Sequence, residues 1–160
     1  MKAVLLLNQN EQQNTENTIK SLANEGIGEF VIFSHQYKKR QRFIDELTKN
    51  GINATFIDLN RRISTFDALD LIKGSLNDTF LLVYSDEVSN FDINDAHYYH
   101  KSNEKLATLL SSDKLTAGIF LENDVFDYMI EPNHFEKVIL KRLFEDDEAL
   151  VYSALTYELY

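Results

Sequence analysis

The sequence has no cysteine and no tryptophan, a single proline, Pro132, and only five glycines in 160 residues. The missing cysteines exclude a disulfide framework, thiolate metal sites and a cysteine nucleophile together. Long apolar runs are also missing. The N-terminal run spans only Ala3 to Leu7 before Asn8 interrupts it. That is too short for the core of a secretory signal and far too short to cross a bilayer. A cytoplasmic chain with no membrane insertion is the expectation. Positive charge is scarce, with 16 basic against 26 acidic residues and a formal net charge of −10. A field of that sign repels nucleic-acid phosphates and anionic lipid, so nucleic acid is not an expected partner. The basic cluster Lys38-Lys39-Arg40, with Arg42, reads as a solvated helix face.

What is present has the rhythm of an α/β protein. A chain of this length fits one domain, residues 1–160, and buries about 70% of its unfolded surface. Ala3–Leu7, Phe30–Phe33, Ala54–Ile57 and Phe80–Tyr84 are short apolar runs typical of buried strands, with amphipathic segments between them. Thr15 is placed to cap a first helix that runs to about Asn24, with Gly26 as its stop. A second helix runs over Lys38–Asn50 and is closed by Gly51, and Ser64-x-x-Asp67 is a capping box opening a third. Strand and helix alternating in this way imply parallel pairing through right-handed crossovers. The second half is more mixed. Asp92 caps a short helix, and Leu106–Leu110 and Leu115–Leu121 read as strands. Asn123–Ile130 and His134–Phe144 read as helices around Pro132, and Leu150–Leu155 as a last strand. The expected fold is a three-layer α/β sandwich around a mostly parallel central sheet.

Several segments carry more than periodicity. Met1-Lys2-Ala3-Val4-Leu5-Leu6 opens the chain, and Asn24 to Ile32 links the first helix to the second strand. Phe80-Leu81-Leu82-Val83-Tyr84-Ser85-Asp86-Glu87-Val88 forms the fourth strand and its exit. Leu115 to Phe120 is followed by Val125, Phe126, Asp127 and Tyr128, then by Phe135-Glu136 and Val151-Tyr152. In this order they resemble the sugar-phosphate nucleotidylyltransferases, especially the glucose-1-phosphate cytidylyltransferase type, which join a sugar 1-phosphate to a nucleoside triphosphate. The resemblance implies a nucleotide-diphospho-sugar transferase-like, Rossmann-like fold, with Mg2+ as cofactor if the chain is active.

It also implies a site. Asp86 matches the metal-holding aspartate at the mouth of the fourth strand, where α/β folds place ligands. Ser64 and Thr65 align with a turn beside the nucleotide and sugar. A second metal-holding carboxylate belongs beyond Tyr152, and Glu158 is the nearest. Against this stand two departures. The family grips its triphosphate with a glycine-rich turn, since glycine lets backbone N–H groups approach phosphate closely. Here that stretch is Asn8-Gln9-Asn10-Glu11-Gln12-Gln13-Asn14-Thr15, without glycine, arginine or lysine. Only Asp113-Lys114 stands where the family inserts much of its sugar pocket.

Other clusters read as structural. His97-x-x-His100 has the spacing of a metal pair but sits beside Tyr98 and Tyr99, which points to packing or a partner surface. His35 and His134 read as surface or loop residues. Glu145-Asp146-Asp147-Glu148 reads as a solvated acidic turn. Tyr152, Tyr157 and Tyr160 suggest a terminal strand left uncovered, and with it a homodimer or a partner protein. The leading expectation is a non-catalytic relative that binds a nucleotide or nucleotide-sugar, or acts as a scaffold, in polysaccharide synthesis. Two alternatives stay open: a divergent metal-dependent nucleotidylyltransferase making a nucleotide-sugar, and a glycosyltransferase-like domain using Asp86-Glu87.

Overall fold

The computed structural model describes residues 1–6, 12–35, 40–59, 61–112 and 115–153. Seven strands form one sheet: β1 Lys2–Leu6, β2 Glu29–His35, β3 Asn53–Leu59, β4 Phe80–Val83, β5 Ala107–Ser111, β6 Thr116–Leu121 and β7 Ala149–Ser153. Their order across the sheet is β3-β2-β1-β4-β6-β5-β7. β1 pairs in parallel with β2 and β4, β2 with β3, and β5 with β7. β6 is antiparallel to both its neighbours, β4 and β5. Strand direction and alternation therefore follow the expected mostly parallel plan. The close β4–β6 pairing needs Gly118, where an added Cβ would stand 3.0 Å from the Leu82 carbonyl oxygen.

Helices cover both faces. On one side α1 (Gln12–Asn24), α2 (Arg40–Lys49) and α4 (Ile93–Asn103) supply Ile19, Leu22, Phe43, Leu47 and Ala96 to a core with Ala3, Leu5 and Ile32. On the other, α3 (Thr65–Ile72) and α5 (Leu140–Glu145) bring Phe66, Leu69 and Leu143 against Val4, Val31 and Leu82. Successive strand residues point to opposite faces, which is why Val4 and Leu5 enter different cores. Three layers result, as expected.

The helix ends show how local chemistry sets these elements. α1 stops in a Schellman motif: Ile27 N–H donates to the Leu22 carbonyl and Gly26, at φ 101°, donates to Ala23. Gly51, at φ 72°, closes α2 in the same way, with Ile52 donating to Leu47. Ser64 Oγ accepts from Asp67 N–H at 3.1 Å, and Asp92 Oδ1 from Asp95 N–H at 3.0 Å, so both expected caps form.

Four expectations need correction. Thr15 is not a cap: α1 begins at Gln12, extended by two glutamines that favour helix, and Thr15 is buried inside it. Asn123–Ile130 is not an α-helix but a 3₁₀ stretch over Asn123–Tyr128. The expected helix from His134 starts as a wide π turn, Phe135–Ile139, with α5 following. Finally, Tyr152 is not left uncovered. It packs against Phe91 and Tyr99, and its hydroxyl donates to Asp95 Oδ2. Tyr157 and Tyr160 lie outside the described residues, as do Lys38 and Lys39 of the basic cluster; Arg42 is exposed on α2.

Candidate functional site

The order β3-β2-β1-β4 makes β1 the strand from which the connections turn to opposite sides, and ligands in open α/β sheets bind outside the C-terminal ends at such a switch. A cleft of about 310 Å3 lies there, near the lower limit for small-molecule sites. Leu6, Phe33, Leu59 and Ile63 form its apolar lining, from the ends of β1, β2 and β3 and the loop after β3. Its polar lining consists of Ser34, Arg61, Arg62, Thr65, Tyr84 and Glu136. Clefts of about 360 to 380 Å3 occur elsewhere on the surface, so volume does not select this one. Position and chemistry do.

Three of the polar groups form one cluster. Glu136 Oε1 accepts from Thr65 Oγ1 at 2.6 Å and from Tyr84 Oη at 2.8 Å. Burial, with the Glu136 charge and hydrogen bond behind it, pushes the Tyr84 hydroxyl well above its usual range, so it stays protonated and donates. The π turn brings Glu136 to the cleft, and its start is held by the His134 ring, whose Nδ1 accepts from Lys137 N–H at 3.1 Å. That bond occupies the Nδ1 lone pair. The 3.6 Å approach of Nδ1 to Glu136 Oε2 is therefore no hydrogen bond while the ring is neutral. Opposite in charge, Arg61 and Arg62 are exposed and make no hydrogen bond or ion pair among the described residues.

Of the residues expected from sequence, Thr65 lines the cleft and Ser64 sits beside it as the α3 cap. Asp86 stands just past the end of β4, as expected, but is not among the cleft's lining residues. Its Oδ1 accepts from Thr18 Oγ1 of α1 at 3.0 Å. Glu158 lies outside the described residues, as do residues 8–11 of the glycine-free stretch after β1. Among the described residues no group of three His, Asp or Glu side chains is placed to hold a metal ion. Asp86, with one oxygen taken by Thr18, is a single ligand, so the residues described do not by themselves fit the Mg2+ that the resemblance implies. Tyr84 and Glu136 fall in segments that carry the resemblance, but the sequence singled out neither them nor Arg61 and Arg62 as site residues.

The histidine pair is structural. His100 is fully buried, with Nδ1 2.6 Å from Thr108 Oγ1 and Nε2 2.9 Å from Glu122 Oε2. Glu122 also accepts from Thr79 Oγ1 and, at 2.8 Å, from Lys101 Nζ. His97 packs on Phe120, as does His100. The acidic turn is tied down by Tyr128, which donates to Asp146, and by Lys105, which pairs with Asp147.

No protein-family model matches the sequence, and no curated protein matches it. Solved structures do match in fold. A Bacillus anthracis protein described as a glucose-1-phosphate thymidylyltransferase, solved with sucrose, superposes with a TM-score of 0.69 at 10% identity. The match covers 95% of this chain and 85% of that one. The 4-diphosphocytidyl-2C-methyl-D-erythritol synthase of Anaerococcus prevotii gives 0.67 at 10% identity, over 95% of this chain and 87% of that one. A manganese-bound protein of Mycobacterium tuberculosis gives 0.63 at 8% identity, over 96% and 86%. The chain thus has the nucleotide-diphospho-sugar transferase-like fold, nearly whole, at a sequence divergence where likeness shows fold alone. No described helix is long and apolar enough to cross a membrane.

Proposed function

We propose that the protein is a non-catalytic nucleotidyltransferase-like domain that binds a nucleotide or nucleotide-sugar in the cleft at the C-terminal ends of β1–β4. The observation that carries this reading is a formed cleft with two guanidinium groups that engage no described residue, in a chain whose stretch after β1 lacks the glycine-rich phosphate grip. In this reading Ser64 and Thr65 border the ligand, and Asp86 lies outside it. The domain acts as a binding or scaffold unit, in the cytoplasm, within polysaccharide synthesis. A homodimer is part of the proposal, and sedimentation at micromolar concentration tests it: a single species at 18.6 kDa would remove it.

The second reading keeps catalysis. Its support is the position of Asp86 at the mouth of β4, and it requires Mg2+ or Mn2+ and a further carboxylate such as Glu158, with the nucleotidylyl group passing to a sugar 1-phosphate. A glycosyltransferase-like domain using Asp86-Glu87 is its variant. Calorimetric and thermal-shift titrations with CTP, dTTP, UTP and UDP-glucose, each with and without Mg2+ or Mn2+, separate these readings. A ligand at 100 times its Kd stabilises the fold by about 2.7 kcal/mol, a readily measured shift. Metal-independent binding that survives Asp86→Ala supports the binding domain. Metal-dependent binding lost in Asp86→Ala supports catalysis. No binding of any of them would remove nucleotide recognition and catalysis and leave a protein-binding scaffold.

A further inference from the structure

We infer that the anion-holding element of this chain is the β3–α3 loop, through Arg61 and Arg62, and that the cleft takes a phosphate monoester carrying free hydroxyls, with Glu136 as the hydroxyl acceptor. The inference rests on the binding reading above, but commits to particular groups and to the ligand's orientation.

Three observations lead to it. First, Arg61 and Arg62 line the cleft and are engaged by no described residue, although acidic residues outnumber basic ones 26 to 16 in the chain. Two adjacent unpaired guanidinium groups at a concave site match a phosphate, which takes paired N–H donors from arginine. Second, the stretch after β1 offers no arginine, lysine or glycine, and among the described lining residues the positive charge is that of Arg61 and Arg62. Third, Glu136 is half spent. Oε1 takes both protein hydroxyls, while the Oε2 lone pairs face a histidine nitrogen that is itself an acceptor. Its side chain keeps 37% of its exposure, enough for a ligand to reach it. An ionised carboxylate only accepts, so its partner must be an O–H or N–H donor. Tyr84 and Thr65 fix the carboxylate's orientation before a ligand arrives, and the apolar residues Leu6, Phe33 and Ile63 offer a surface for the ligand's carbon frame.

A phosphate at one end and hydroxyls at the other is the chemistry of a sugar phosphate and equally of a nucleoside monophosphate. The cleft's volume of about 310 Å3 sits at the small end for ligand sites and favours one such unit over a full nucleotide-sugar.

The test is calorimetry on the full chain with glucose 1-phosphate, UMP, glucose and inorganic phosphate, repeated for Arg61→Ala/Arg62→Ala and for Glu136→Gln. Glucose 1-phosphate or UMP should bind at least tenfold more tightly than inorganic phosphate, and glucose should not bind. The double arginine variant should lose binding of every phosphate by tenfold or more. Glu136→Gln should weaken the organic phosphates by several-fold and leave inorganic phosphate unchanged, a split that a general loss of structure does not produce. Preference for glucose 1-phosphate over UMP identifies a sugar-phosphate site, and the reverse a nucleoside site. Nucleotide binding that persists at full strength in the arginine variant would overturn the inference while leaving the binding function standing. Glucose 1-phosphate held through Arg61 and Arg62 by a chain that ignores every nucleotide would do the opposite. Failure of all phosphates to bind the unaltered protein would remove both.

Discussion

The two halves of the sheet treat polar groups in opposite ways. In the β6-β5-β7 half the buried polar groups are closed on one another. His100 spends both ring nitrogens on Thr108 and Glu122, and Glu122 gathers Thr79 and Lys101 as well. At the C-terminal ends of β3-β2-β1-β4, Arg61 and Arg62 engage no described residue, and one oxygen of Glu136 accepts from none of the described residues. A satisfied network rigidifies a fold, whereas exposed charged groups at a cleft add little to it and gain a use when something binds. In the proposed reading one half is structural and the other serves recognition.

Breaking the structural half should have the largest effects. Phe120 is fully buried beneath the rings of His97 and His100. Truncation to alanine should cost about 3–5 kcal/mol, measured by urea denaturation. Glu122→Ala comes next. It strips the acceptor from a buried imidazole, a loss of about 1–3 kcal/mol, and Glu122→Gln should recover part of it because an amide oxygen still accepts. If either variant unfolds at the same urea concentration as the parent, the network is not what stabilises this half.

Acid should break the same network. Burial lowers the His100 pKa below its ordinary 6.5, against the opposing pull of Glu122. Burial works to raise the Glu122 pKa, but hydrogen bonds from Lys101, Thr79 and His100 hold it below its ordinary 4.5. For both groups the folded pKa lies under the unfolded one. Their stabilisation is present above the unfolded value and is lost as pH falls through the folded value. The melting temperature should therefore drop first below pH 6.5 and again below 4.5. His100→Gln should flatten the first step; an unchanged profile in that variant would place the acid sensitivity elsewhere.

The difference between the halves also explains what the sequence revealed. Strands and all the caps but Thr15 were legible because each depends on near neighbours: an apolar run, Ser64 three residues before Asp67, Gly26 and Gly51 where φ turns positive. The cleft cluster was not. Glu136 lies 71 residues from Thr65 and 52 from Tyr84, and no local pattern joins them. Arg61 and Arg62 gain meaning only from the order of strands around them. The π turn at Phe135 and the 3₁₀ stretch at Asn123 share apolar spacing with true helices, so periodicity alone misread them. Tyr152 looked exposed for a similar reason: Tyr99 and Phe91, which cover it, come from another part of the chain.

Two smaller effects sharpen the comparison from the recognition side. Ser64→Ala removes the α3 cap and should cost about 1 kcal/mol in chemical denaturation, since one first-turn N–H loses its acceptor. Arg61→Ala/Arg62→Ala should change stability by no more than about 0.5 kcal/mol, because both side chains are exposed and hold no described partner. The smallness of this effect is the point: in the proposed reading these arginines, at the end of the sheet where α/β proteins bind ligands, serve the ligand rather than the fold. A loss of 2 kcal/mol or more in the double variant would move Arg61 and Arg62 into the structural half and end the contrast between the two.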